Sequence, residues 1–166
     1  MMKTERLDLR RPTLADFEAS AAMWGDPEVT RFIGNKPQTR EQSWARLLRY
    51  VGHWQLLGYG FLFAFERTSQ RFVGEVGLAN FERDMIPPVG PHEAGWVLAA
   101  WAHRQGFATE ALRAILAWFE VAFPGTPTRC IIDVDNVASQ NVAAKLGYRE
   151  LDRRTYHDDP VIVFER

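Results

Sequence analysis

Cysteine occurs once in the 166 residues, at Cys130. That single thiol excludes an intramolecular disulfide and any zinc site built on cysteines. It stands in the apolar run Cys130-Ile131-Ile132, where a small buried hydrophobe is the expected role rather than a nucleophile. No apolar run reaches the length of a membrane span, and Met1-Met2-Lys3-Thr4-Glu5-Arg6 lacks the apolar stretch of a signal peptide. No membrane partner and a cytoplasmic location are therefore expected. Neither charge sign dominates: 20 Lys and Arg oppose 21 Asp and Glu, for a net charge of −1. A nucleic-acid partner, which selects a basic patch or tail, is not expected. Repeats, low-complexity tracts and Gly/Ser/Pro linkers are also missing, so residues 1–166 read as one domain. What is present is an ordinary globular composition, 46 % apolar and 25 % charged, long enough to bury a core unaided.

Alternation of Leu7 and Leu9 with Asp8 and Arg10 predicts a first strand, stopped by Pro12. Thr13 reads as a helix N-cap with Asp16 completing an acidic capping box. The helix that follows carries Phe17, Ala21 and Trp24 on one face and stops at Gly25-Asp26-Pro27. Trp44, Leu47, Leu48 and Val51 predict a second helix over about 40–53. Phe61 to Phe65 and 71–81 read as a hairpin about Thr68-Ser69-Gln70, and a further strand is expected from Glu93 to about Leu98. The clearest helix runs from Gly106 to Phe123, with Ala108, Ala111, Leu112, Ile115, Trp118, Phe119 and Ala122 as its stripe and Pro124-Gly125 as its stop. A strand over 129–134, a short helix over about 137–146 and a last strand near 161–164 complete the chain. This order predicts an α/β protein of α+β type, a mixed, mostly antiparallel sheet flanked by helices.

The junction between the strand at 93–98 and the strong helix is the most informative stretch. A helix start leaves backbone N–H groups unpaired and carries partial positive charge, and small residues at Gly106 and Ala108 let a phosphate approach them. The same glycine also suits a plain strand-to-helix turn, and spacing alone does not choose. A P-loop is excluded because no Lys-Ser/Thr pair follows, and a dinucleotide fingerprint because only Gly106 of the three glycines is there.

His103, Gly106 and Ala108, followed by Thr109-Glu110-Ala111, resemble the acyl-CoA loop Gln/Arg-x-x-Gly-x-Gly/Ala of the GNAT superfamily of N-acetyltransferases. Glu93-Ala94-Gly95-Trp96-Val97-Leu98 is similar to the family's preceding strand. Asp135 to Tyr148 resembles its second block, Asn-x-x-Ser followed by Lys-Leu-Gly-Phe/Tyr, through Asn136, Ser139, Lys145, Leu146, Gly147 and Tyr148. The opening Thr4-Glu5-Arg6-Leu7-Asp8-Leu9-Arg10 looks like the branch of ribosomal-protein alanine N-acetyltransferases. Three departures stand out: His103 replaces Gln or Arg, Arg104 stands where Gly is common, and Ala100 where this branch often has Pro. An amide-based phosphate site survives such changes, because main-chain donors are independent of the side chain. Arg104 either adds charge near a phosphate or is simply solvated.

The resemblance implies acetyl-CoA as cosubstrate, no metal, and transfer of the acetyl group to a primary amine. It implies coenzyme contacts from Val97, Leu98, His103, Arg104, Gln105, Gly106, Phe107, Ala108, Thr109, Asn136, Ser139 and Lys145, with amides near Val97 and Leu98 facing the developing oxyanion. The amine must lose a proton to become nucleophilic; the candidate bases are Glu75 and Glu93, each also readable as a rim glutamate facing water. Many members protonate the leaving thiolate with a tyrosine whose position falls at Ala143. Tyr148 is a nearby phenol with packing as its expected role, and Ser139 either reaches the thiol or caps its helix, as Asn136 does. His53, His92 and His157 have no supporting spacing. Trp24, Phe32, Trp44, Trp54, Tyr59 and Phe61 are expected chiefly in the core, with a few lining the acceptor cleft. Two other readings stay open: a CoA-binding sensor that does not transfer, and an interaction domain with a degenerate loop. A homodimer is compatible with all three.

Overall fold

A computed structural model describes residues 1–166. Eight strands form one sheet: β1 (Met2–Lys3), β2 (Leu7–Arg10), β3 (Phe61–Glu66), β4 (Phe72–Ala79), β5 (Glu93–Leu98), β6 (Arg129–Asp133), β7 (Arg149–Tyr156) and β8 (Asp159–Glu165), in the spatial order β1-β2-β3-β4-β5-β6-β8-β7. Five α-helices accompany them: α1 (Phe17–Trp24), α2 (Pro27–Thr30), α3 (Arg40–Leu57), α4 (Phe107–Ala122) and α5 (Val137–Lys145). Every strand pair is antiparallel except β5 and β6. This is the mixed, mostly antiparallel sheet with flanking helices that the sequence predicts.

The two faces of the sheet are covered differently. On one, α4 packs through Leu112, Ile115, Leu116 and Phe119 onto Leu7, Leu9, Val76 and Leu78 in a core of 25 buried residues. Each such side chain contributes about 1.5–3 kcal/mol by leaving water. On the other, α1 and α3 bring Phe17, Leu47 and Tyr50 against Phe61, Phe63 and Phe65. Thr39 and Gln42 cap α3 reciprocally, and Gly58 ends it in the left-handed region at φ 74°. This helix runs a turn further than expected, because nothing before Gly58 breaks it.

Thr13 and Asp16 make the expected capping contact, the Thr13 N–H donating to Asp16 Oδ2 at 2.8 Å. They cap a short 3₁₀ turn over Leu14–Asp16 that leads into α1. Strand β7 was not anticipated. Its sequence, Arg-Glu-Leu-Asp-Arg-Arg-Thr-Tyr, is mostly exposed and carries no apolar alternation. It forms because it is the last strand of the sheet, paired with β8 alone, and charge suits such an edge.

One seam breaks the sheet. Strands β5 and β6 pair only at Glu93 and Arg129, where the Arg129 N–H donates to His92 O at 3.1 Å; beyond that point they diverge. The crossover between them is α4, so this helix begins at the carboxyl end of β5, where open α/β sheets present ligand crevices. On the β4 side the approach is close: a Cβ on Gly74 (φ 156°) would lie 2.2 Å from Val97 O, so only glycine fits there.

Candidate active site

The turn before α4 leaves a row of unused donors. His103 still donates its N–H to Ala100 O, and Glu110 donates to Gly106 O. Between them the N–H groups of Arg104, Gln105, Gly106, Phe107, Ala108 and Thr109 have no protein acceptor, and no side chain caps the helix. Gly106 holds φ at 81° and Arg104 at 61°, the left-handed region that glycine adopts most readily and an arginine rarely does. Arg104 is exposed and makes no ion pair. Other groups nearby are taken by the chain's own contacts. The Gln105 side chain donates to Trp101 O at 2.7 Å, and the main-chain carbonyl of Gln105 accepts from Arg6 Nη1 at 3.0 Å. His103 Nε2 lies 2.9 Å from Leu98 O.

Arg6 braces this corner. Its guanidinium lies over the Phe107 ring and bonds Glu110 Oε2 at 2.7 Å, while its N–H and the Thr4 hydroxyl reach Glu110 Oε1. Burial alone would raise the Glu110 pKa, but the bonds from Thr4 and Arg6 hold it below the usual carboxylate value. The Glu110 carboxylate is thus taken up by Thr4 and Arg6, and Arg6 Nη2 lies 3.5 Å from where a Cβ on Gly106 would stand.

The diverging strands enclose a cavity of about 370 Å³. Strand β5 contributes Glu93 to Val97, β6 contributes Ile131 to Asp133, and α5 contributes Asn136 and Ser139. The cavity does not extend along the turn at 103–109. Because the Ala99 N–H donates to Val73 O, strand alternation turns the Val97 amide into the β4–β5 ladder as well. It turns those of Trp96 and Leu98 toward the diverging side. Of the two residues expected to offer amides there, Leu98 does so and Val97 does not; Trp96 takes that place.

Asn136 caps α5, as its position predicts. Its Oδ1 accepts the Ser139 N–H at 3.1 Å, and both side chains line the cavity. Lys145 lies exposed in the last turn of α5, away from it. Ala143 is fully buried in the main core and does not line the cavity. Tyr148 is also packed, its hydroxyl 2.8 Å from Thr128 Oγ1, and burial pushes its pKa up. Burial raises the Cys130 thiol likewise, as its apolar neighbours foretold.

The two carboxylates proposed as bases have separate fates. Glu75 is fully buried and does not reach the cavity wall. It bonds the Ser20 hydroxyl, Trp24 Nε1 at 2.9 Å and the Tyr50 hydroxyl, and it is Trp24 and Tyr50 that face the cavity. Burial raises the Glu75 pKa against those hydrogen bonds and the positive charge of Arg46. Glu93 does line the cavity, but Arg83 grips both its oxygens, Nε to Oε2 and Nη2 to Oε1, each at 2.7 Å. Neither faces water as a rim residue.

Sequence reading did not single out Arg46, Arg49, Arg83, Tyr50 or Tyr156, all of which line the cavity. Spacing carries no signal for them, since they come from α3, the β4–β5 loop and the far hairpin. His157, set aside for want of spacing, also lines it. Of the aromatic residues considered, Trp24, Phe32 and Phe61 reach the wall. Trp54 donates instead to Phe61 O at 2.7 Å, and Tyr59 to Pro91 O at 2.6 Å. No group of three His, Cys, Asp or Glu side chains is placed to hold a metal ion, and no helix is long and apolar enough to cross a membrane.

Comparison with known proteins agrees with this geometry. Residues 6–149 match the profile of the Acetyltransferase (GNAT) domain. The N-acetyltransferase YoaA of Bacillus subtilis strain 168 is 26 % identical over 155 residues, covering 90 % of this chain and 83 % of that protein. A GNAT-family acetyltransferase of Bordetella pertussis superposes with a TM-score of 0.88 at 27 % identity, covering 99 % and 98 % of the two chains. The ribosomal L7/L12 α-N-protein acetyltransferase RimL, solved with coenzyme A, has the same fold at TM-score 0.77 and 15 % identity, covering 98 % and 94 %. With its domain profile matched over most of its length, its sheet split beside an uncapped helix start and its fold shared with these enzymes, the chain belongs to the GNAT acetyltransferase family.

Proposed function

We propose that this acetyltransferase moves the acetyl group of acetyl-CoA directly onto a primary amine. The observation that carries the reading is the run of six main-chain N–H groups, Arg104 to Thr109, with no acceptor in the protein. Six unpaired donors at a helix start, with the Arg6 guanidinium beside them, suit a diphosphate. RimL was solved with coenzyme A, which supports the same ligand here.

The chain's own groups divide the chemistry. The Leu98 and Trp96 amides on the diverging edge of β5 are positioned to stabilise negative charge on a carbonyl oxygen entering the seam. Ser139, on the cavity wall with no protein partner for its hydroxyl, is assigned to the leaving sulfur. The acceptor amine enters through the half of the cavity lined by α3 and the β7–β8 hairpin. Its proton goes to a group on that wall or to water there. Glu75 lies behind Tyr50 and Trp24, and Glu93 is gripped by Arg83, which leaves His157 as the unengaged imidazole on the wall.

An acetyl-CoA turnover assay against amines and N-terminal peptides tests the reading, with His157→Asn, Glu93→Gln and Glu75→Gln compared on any substrate found. Transfer to an amine supports it. Tight CoA binding without transfer across the panel would replace it with a coenzyme sensor, and absence of CoA binding would overturn both.

A further inference from the structure

Two arginines on the acceptor side of the cavity have no carboxylate partner. Arg46 and Arg49 stand one turn apart on α3 and both line the wall. The Arg46 guanidinium carbon lies over the Trp24 ring, 3.5 Å from its centroid, and Nη2 donates to Gln38 Oε1 at 2.8 Å. Its Nε is buried with no hydrogen-bond partner. Arg49 lies over Phe81 and makes neither a hydrogen bond nor an ion pair. Like charges at this spacing repel along a helix, and Arg83 adds a third positive charge nearby.

None of the nearby carboxylates forms an ion pair with these two arginines, although Glu75 behind the wall feels the charge of Arg46. Glu93 is held by both arms of Arg83. Glu75 is occupied by Ser20, Trp24 and Tyr50 and lies behind the wall. Asp133 accepts the Asp135 N–H at 2.7 Å, and Asp159 stands in the β7–β8 hairpin; neither pairs with Arg46 or Arg49. A partly desolvated guanidinium pair with open donors binds carboxylate or phosphate oxygens, often in bidentate fashion. The cavity volume suits a small molecule.

We propose that the acceptor is a small amine carrying an anionic group, a carboxylate or a phosphate, which Arg46 and Arg49 hold while the amine points toward β5. This rests on the acetyl-transfer reading and names the substrate class for it. Part of the binding energy then comes from a part of the substrate remote from the reacting nitrogen, which positions that nitrogen for attack.

The test uses matched acceptors: an α-amino acid against its amide, and O-phosphoethanolamine against ethanolamine, each with acetyl-CoA. The expected result is a kcat/KM at least about tenfold higher for one anionic member than for its neutral twin, and whether amino acid or phosphate leads identifies the anion. Arg49→Gln and Arg46→Gln are expected to shrink that ratio. A ratio taken within one preparation is unaffected by misfolded protein, and the more exposed Arg49 serves if the Arg46 variant does not fold. Neutral twins used equally well, or a ratio unmoved by both variants, would overturn the proposal while leaving acetyl transfer intact. If no amine is acetylated, transfer itself fails, and the arginine pair is judged by saturation-transfer NMR with N-acetylglycine and N-acetylglycinamide in the presence of CoA. Preferential binding of the acid, lost in Arg49→Gln, supports the anion site; equal or absent binding sinks it.

Discussion

The proposed coenzyme side and the proposed acceptor side of this site are built from different parts of the polypeptide. The coenzyme side is main chain: unpaired amides from Arg104 to Thr109 and the open edge of β5. Its geometry follows from where a strand stops and a helix starts, and main-chain donors do not depend on the side chains of His103 and Arg104. The acceptor side is side chain: Arg46, Arg49, Tyr50, Arg83 and Tyr156 arrive from three separate segments and meet across the seam. The first kind of site is set by backbone conformation and the second by packing. Substitutions should therefore act differently on the two sides.

The largest effect is expected where backbones approach most closely. Gly74→Ala places a Cβ 2.2 Å from Val97 O, forcing β4 and β5 apart at a cost of about 3 kcal/mol, measurable by denaturant unfolding. An unfolding midpoint like that of the parent would show that the β4–β5 contact is not fixed. Gly106→Glu comes next. It strains a residue held at φ 81° and sets a carboxylate among the amides, so CoA affinity should fall about a hundredfold, as read by calorimetry. Gly106→Ala should lose much less, since it brings the strain without the charge; equal losses would mean the turn's shape, not its donors, holds the coenzyme.

On the acceptor side, Glu93→Gln removes a buried carboxylate that Arg83 holds with two bonds. Breaking a fully buried pair costs more, but Arg83 retains 24 % exposure, so about 2 kcal/mol of stability should go. CoA affinity should be unchanged, and a matching fall in CoA binding would collapse the distinction between the two sides. The smallest effect is expected from Glu75→Gln, and it depends on pH. Burial raises the Glu75 pKa in the folded chain, so between the ordinary glutamate value of about 4.3 and that raised value the folded state binds more protons than the unfolded one. Stability then declines as pH rises through this window. The glutamine variant lacks that decline, so its thermal midpoint should gain on the parent's as pH increases. A variant midpoint that falls further behind the parent's as pH increases would mean the carboxylate is ionised and well paired.

Much of the fold was legible because local rules agree with the tertiary result. The α4 stripe, the Thr13–Asp16 cap, the Asn136 cap and the bounds of β5 all depend on neighbours close in sequence. Strand β7 was not legible, since an edge strand needs no apolar face and its pairing with β8 is its only support. The unpaired donors before α4 were legible because they are implied by the strand-to-helix junction itself. The surroundings of the two candidate bases were not. Glu75 and Glu93 are both polar residues in apolar strands, and nothing along the chain tells that Ser20, Trp24 and Tyr50 enclose one while Arg83 clamps the other. Val97 and Leu98 show the same limit at finer scale: which amide faces the seam depends on the register with β4.

The amino-acid order by itself determined most of the element types, β7 and the short α2 excepted, and the run of donors at the start of α4, since these rest on short-range sterics and unpaired backbone donors. Only the tertiary structure decided which side chains enclose the acceptor, which carboxylates are already bound and which arginines remain without a partner, because side chains meet across the seam only after distant segments pack.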